Sequence, residues 1–222
     1  MTDSTTPRRR RSGGGRESRR QARANHSTRG PAFIKRVTPT YELLDEQGLA
    51  LIERNADAIL EDIGIDFREY PRALDLLSKA GAHVDGERVR FPRGMCREII
   101  QATAPGVFTQ HARNPERSVQ IGGDAMVLVP AYGPPFVRDL SGERRYATLE
   151  DFQNFVKLAY ASPSLHHSGG TVCEPVDLPV NKRHLDMVYS HIRFSDKPFM
   201  GSVTHPDRAT DSVEMARVVF GE

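Results

Sequence analysis

Cysteine occurs only twice in this 222-residue chain, at Cys96 and Cys173, and the two stand far apart without the spacing of metal ligands. That scarcity excludes a disulfide framework and a thiolate zinc module, and it fits reduced thiols. Apolar residues are also scarce, at 38% of the sequence, so part of the chain is not expected to pack. No run is long and apolar enough for a membrane-spanning helix, and no signal-peptide core follows Met1. A cytoplasmic protein without a membrane span is the expectation.

The missing apolar residues are missing chiefly from one place. Residues 1–32 hold nine arginines against Asp3 and Glu17, with almost no aliphatic side chains and no aromatic before Phe33. Such a segment buries too little surface to offset the entropy of ordering, so it reads as a disordered tail. Without it, 22 basic side chains face 27 acidic ones, and the formal charge changes from +2 to −5. The basicity belongs to the tail. A solvated leader is preferred over a nucleic-acid or anionic-lipid ligand, because no aromatic residue interleaves the arginines and no binding fold adjoins them. Gly13, Gly14 and Gly15 spoil the amphipathic helix of a mitochondrial presequence.

Residues 33–105 read as helices with one hairpin. Leu49, Ile52, Ala56, Ile59, Leu60 and Ile63 form a stripe at helical spacing, stopped by Gly64. A second helix runs from Pro71 to Lys79, AHVDGERVRF alternates around the turn dipeptide Asp85-Gly86, and Pro92 opens a third helix stopped by Pro105. From residue 106 the pattern becomes extended in VFTQHA, SVQIGG and AMVLVPAY, and then strand and helix alternate. Thr148 with Asp151 three residues later caps a helix whose buried face is Phe152, Phe155, Val156 and Ala159. SLHHSGGTV is a predicted strand, NKRHLDMVYSHIRF a helix packing through Leu185, Val188, Tyr189 and Ile192, KPFMGSV a strand, and DRATDSVEMARVVF a helix. That alternation is the α/β signature of a parallel sheet with crossover helices. A closed (β/α)8 barrel takes about 250 residues. Residues 106–222 supply the first part of one, and the chain is read as the front of a longer protein.

Residues 166–186, HHSGGTVCEPVDLPVNKRHLD, fall at the carboxyl end of a predicted strand, where α/β folds bind ligands. His166 and His167 are adjacent on that strand and point to opposite faces, and His184 and His191 lie two helical turns apart. No metal site is expected from them. Cys173 reads as a small buried side chain rather than a nucleophile. Gly169-Gly170 lacks the spacing of a phosphate loop and reads as a place of close approach by a ligand or backbone. Glu174 and Asp177, framed by Pro175 and Pro179, either receive a cation or only keep a loop soluble. Tyr132, before Gly133-Pro134-Pro135-Phe136, offers a rigid aromatic lip of the kind an ammonium group prefers.

The runs AYGPPFVRDLSGERRYATLEDFQNFVKLA, GGTVCEPVDLPVNKRHLD and SDKPFMGSV resemble the amino-terminal half of the trimethylamine methyltransferase family. RVTPTYELLDEQGLALIERNADAILEDIGIDF through GERVRFP resembles that family's lead-in, so the likeness covers about residues 33–222. It implies a partial TIM-type barrel that passes a methyl group from a methylated amine, trimethylamine or a quaternary amine such as glycine betaine, to the cobalt of a corrinoid protein. The corrinoid is implied to belong to that cognate partner, with no cofactor bound by this chain, and the full-length form is implied to be a homo-oligomer. Members differ in carrying pyrrolysine, which is expected beyond residue 222. The implied substrate-binding residues are Tyr132, Glu174, Asp177 and His205, the last as a donor to a betaine carboxylate or merely a helix start; no catalytic residue is assigned. The alternative is a non-catalytic fragment or binding module whose basic tail contacts an anionic partner.

The tail reading predicts that limited trypsin digestion cuts between Arg8 and Arg29 before it cuts the body. Protection of those arginines in the isolated protein would contradict it.

Overall fold

The computed structural model describes residues 31–221, and the expectation of a disordered tail falls outside the described residues up to residue 30. The first strand, β1 (Ile34–Lys35), belongs with residues from Val107 onward in one compact unit, and residues 36–106 form another.

The smaller unit opens with helix α1 (Glu46–Ala58), whose N-cap Asp45 accepts the Gly48 N–H at 2.7 Å. Residues Ile59–Ile63 continue it as a π-turn, closed by the Gly64 N–H donating to the Ile59 carbonyl at 2.9 Å. Gly64 has φ +75°, and a Cβ there would stand 2.3 Å from the Val89 carbonyl oxygen, so the stop signal is also a packing requirement. Strand β2 (Ile65–Asp66), helix α2 (Pro71–Lys79), strands β3 (His83–Asp85) and β4 (Arg88–Arg90), and helix α3 (Met95–Thr103) follow. The three strands pair antiparallel in the order β2-β4-β3, with the expected turn after Asp85. Ala82, Val89, Phe91 and Met95 make the core, with Leu60, Leu74 and Leu77 packed on it. Of the stripe on α1, Leu49, Ile52, Ile59 and Ile63 are exposed. Strands of two or three residues extend about 10 Å, too short to cover a 13-residue helix of about 20 Å.

The larger unit carries a four-stranded antiparallel sheet, β1-β7-β6-β5, with β5 (Val107–Gln110), β6 (Val119–Gly122) and β7 (Ala125–Met126). A hairpin that the sequence pattern did not reveal follows, β8 (Phe136–Arg138) and β9 (Arg144–Tyr146). Its turn is held by Asp139, which accepts the Ser141 N–H at 2.8 Å, and Arg144 lies over the Phe136 ring at 3.8 Å. Helix α4 (Leu149–Ala161) starts with the expected capping box of Thr148 and Asp151. Arg145 grips the Asp151 carboxylate with two bonds, of 2.6 and 2.8 Å, and holds its pKa well below the usual carboxylate range. Phe152, Val156 and Ala159 are buried as expected, while Phe155 is partly exposed. Helix α5 (Arg183–Phe194) is rotated from its expected packing face: it buries His184, Met187, Val188 and His191 and exposes Leu185 and Tyr189. Polar partners make the difference, since His184 Nε2 meets an Asp211 carboxylate oxygen at 2.7 Å and His191 is bonded through both ring nitrogens. Helix α6 (Pro206–Phe220) follows.

The expected parallel ladders are replaced by sparser bonding. Every strand pair among the described residues is antiparallel, and they form no closed barrel. Instead, three extended segments run side by side in chain order. The His166 N–H donates to the Leu128 carbonyl at 3.0 Å, the Ser168 N–H to Pro198 at 2.8 Å, and the Met200 N–H to Gly169 at 2.9 Å. Residue numbers rise together across each pair, which is the parallel sense. The Leu128 N–H goes to the imidazole of His166 rather than to a neighbouring carbonyl, which interrupts the ladder.

Lys197, 4% exposed, clamps this arrangement: its ammonium donates to the carbonyls of Ala159, Ser162 and Leu165 at 2.8, 2.9 and 2.7 Å. Burial lowers its pKa to about 8, still protonated at neutral pH. Lys197→Met strands three carbonyls in an apolar setting and is expected to cost about 3 kcal/mol or more by urea unfolding. A loss under 1 kcal/mol would contradict the clamp.

Candidate functional site

The segments that run in parallel send their following loops out on one side. The first loop, Pro130 to Pro135, is stiffened by three prolines and turned at Gly133, φ +76°. Two backbone bonds staple it to the second loop: the Gly133 N–H donates to Thr171 at 2.7 Å and the Glu174 N–H to Pro134 at 3.1 Å. Pro130, Ala131 and Pro134 also line an apolar groove of about 330 Å³ with Phe155, Leu158 and Val172.

Tyr132 stands on this lip, 53% exposed, with its hydroxyl end lying over Gly170. The close approach expected at Gly169-Gly170 is therefore made by a side chain. Glu174 is partly buried, and its Oε2 accepts from Arg183 Nη1 at 3.0 Å, while Arg183 Nη2 donates to the Leu178 carbonyl at 3.0 Å. Asp177 is exposed and accepts the Leu149 N–H at 2.9 Å, so it caps the start of α4 from another loop. His205 is the N-cap of α6, its Nδ1 accepting the Asp207 N–H at 3.3 Å. The staple brings the loops of Tyr132 and Glu174 together, and Asp177 joins the Glu174 loop to α4. No hydrogen bond links His205 to those loops.

Beneath the lip lies a buried histidine layer. The adjacent pair separates as extended backbone requires: His166 Nδ1 accepts the Leu128 N–H at 2.9 Å, and His167 Nδ1 accepts the Gly169 N–H at 2.8 Å. His191 Nε2 lies 2.7 Å from the Gly170 carbonyl, which only accepts, so Nε2 carries the proton. Its Nδ1 then accepts the Ser168 hydroxyl at 2.7 Å, fixing one tautomer. The ring stacks on Phe199 at 6.0 Å and meets Phe152 edge-on at 5.3 Å. Burial lowers the pKa of both His167 and His191 to about 4. Cys173 is fully buried in the core, with burial pushing its thiol up to about 12. Among the described residues no group of three His, Cys, Asp or Glu side chains is placed to hold a metal ion, and no helix is long and apolar enough to cross a membrane.

Sequence reasoning missed Arg183, Ser168 and Lys197. Arg183 and Lys197 sit among charged neighbours in NKRHLD and SDKPFM, and nothing in those patterns separates a buried cation from a solvated one. The paired uses of Ser168 and His191, 23 positions apart, exist only in the fold.

A family model described as "Trimethylamine methyltransferase (MTTB)" matches residues 11–222. A glycine betaine methyltransferase of Desulfitobacterium hafniense (strain Y51) is 49% identical over 185 residues, which is 83% of this chain and 38% of that relative's length.

The histidine layer generates a pH dependence. The folded imidazoles titrate near 4 and free ones near 6.5, so between those values the unfolded chain binds more protons. The contribution of these two rings to the unfolding free energy is expected to be level above about pH 7 and to fall as pH drops from about 6.5 towards 4, by up to about 1.4 kcal/mol per pH unit for each group. Urea titrations across that range measure it, and a flat profile would contradict two buried neutral rings.

Proposed function

The chain belongs to the trimethylamine methyltransferase family, and from that premise we propose that it forms the substrate-binding part of a methyltransferase acting on a methylated amine. The observation that carries this reading is the backbone staple that sets the exposed ring of Tyr132 beside the loop of Glu174. In this reading the three parallel segments are the opening strands of a (β/α)8 barrel, and their loops form its mouth. The substrate is trimethylamine or a quaternary amine; the 49% identity to a glycine betaine methyltransferase favours the quaternary one. The methyl acceptor is the cobalt of a corrinoid held by a separate protein, which supplies the nucleophile when it docks.

The chain's own residues bind and orient. The face of the Tyr132 ring meets the methylated ammonium, whose charge its quadrupole attracts. Arg183 fixes the Glu174 carboxylate through Oε2, and Oε1, bonded to no described residue, turns its negative potential towards the cation. Asp177, tethered at Leu149, adds a second carboxylate at a fixed distance from α4. With Nδ1 of His205 accepting from Asp207, a neutral ring carries its proton on Nε2, which donates to the carboxylate of a betaine. A quaternary amine leaves without needing a proton, so orientation and charge matter more than acid–base chemistry.

Glu174→Gln preserves an acceptor for Arg183 and removes the charge. In the protein that carries this chain, methyl transfer from glycine betaine to cob(I)alamin, followed by absorbance, is expected to lose about 1–3 kcal/mol in kcat/KM, mainly through KM. Unchanged kinetics in both Glu174→Gln and Asp177→Asn would reduce the stretch to a polar loop.

A further inference from the structure

Two unlike contacts meet at Gly170. Its carbonyl accepts the Nε2–H of His191 at 2.7 Å, and that ring is 1% exposed, tied through Nδ1 to Ser168 and wedged between Phe152 and Phe199. The peptide at 170 is thus anchored from below. The end of the Tyr132 side chain lies against its Cα. A Cβ at 170 would stand 1.8 Å from the Tyr132 hydroxyl oxygen, 2.6 Å from Cζ and 3.1 Å from Cε2. The space a methyl group needs is already filled by the phenol. The backbone of the Tyr132 loop is held separately, by the Gly133 bond to Thr171. The staple therefore sets where the tyrosine starts, and the bare Cα of Gly170 sets where its ring ends.

We propose that Gly170, anchored through His191 and Ser168, is a positioning residue for the substrate ammonium: by lacking a side chain it seats the Tyr132 ring and fixes the direction in which the aromatic face is presented. The proposal rests on the ammonium-binding reading of Tyr132. A methyl at 170 pushes the end of the ring aside, and because a cation must sit over the ring face to be attracted, a tilt weakens binding without touching the ligand. The tyrosine has room to yield, since it is 53% exposed, so the clash is met by ring movement rather than by unfolding.

The test is a double-mutant cycle read by calorimetric titration of tetramethylammonium and glycine betaine into the protein that carries this chain. Tyr132→Ala is expected to weaken binding about tenfold. Gly170→Ala should do so to a similar degree in the native background and by less than about twofold in the Tyr132→Ala background, because the two residues act as one. A Gly170→Ala protein that binds normally, or whose loss adds in full to that of Tyr132→Ala, overturns the proposal. A Tyr132→Ala protein that binds normally overturns the ammonium reading instead, and the proposal with it. A second measurement needs no ligand and survives a poorly folding Gly170 variant. With 3-fluorotyrosine at the six tyrosines, the Tyr132 resonance is identified by its loss in Tyr132→Phe. Both Gly170→Ala and the milder Ser168→Ala are expected to shift that resonance and leave those of the other tyrosines in place. A Tyr132 signal unmoved by Ser168→Ala overturns the chain of support from Ser168 to Tyr132.

Discussion

The buried ammonium of Lys197 is the constraint on which the larger unit depends. A charge removed from water is tolerated only when its hydrogen-bonding capacity is matched, and here three protons meet three carbonyls, those of Ala159, Ser162 and Leu165. Those carbonyls belong to the last turn of α4, the turn after it and the start of the segment bearing His166 and His167. One side chain therefore closes a helix end that would otherwise expose its acceptors, and fixes the next segment against the third.

The histidine layer builds on that fixation. With the second and third segments held together at Ser168 and Met200, the ring of His191 reaches both Ser168 and Gly170 and is locked into a single tautomer. Above it, the loops of Tyr132 and Glu174 are joined backbone to backbone, so their geometry does not depend on long side chains finding each other. Each level inherits its precision from the one below. Side chains that reach solvent at the lip, Tyr132 and Glu174, are placed by backbone bonds and by groups that are mostly buried.

How far the sequence discloses this differs by interaction type. Local signals are legible: Thr148 with Asp151 marks the start of α4, Asp85-Gly86 marks a turn, and Gly64 stops the first helix. The family likeness, read from the order of several short runs, is shown by the match over residues 11–222. Patterns that equate polarity with exposure fail where polar groups are paired. His184 and His191 turn inward on α5 because Asp211, Ser168 and Gly170 receive them, and Tyr189 is displaced outward as a result. The runs around Val127, His167 and Phe199 are expected as strands of a parallel sheet, but they lie side by side with bonds too few for a ladder, since periodicity carries no information about His166 capturing the Leu128 N–H. At the candidate site, residue types pointed to Tyr132, Glu174 and Asp177, and the family resemblance added His205. Their partners, Gly170, Arg183, Leu149 and Asp207, are 38, 9, 28 and 2 positions away, and only the nearest of them was within reach of a local reading.

The Lys197 clamp also has a history in time. Its acceptors precede it by 38, 35 and 32 positions. At roughly 5–20 residues per second, the ribosome adds the lysine about two to eight seconds after Ala159. A helix closes its own turns in far less than that. For those seconds α4 has its capping box but lacks the cation that closes its far end, and the segment bearing His166 and His167 has only the earlier Leu128 segment to pair with. Closure of the far end of α4 by this cation therefore cannot precede translation of Lys197, and the helix whose start is set by its own residues is finished by one that arrives later.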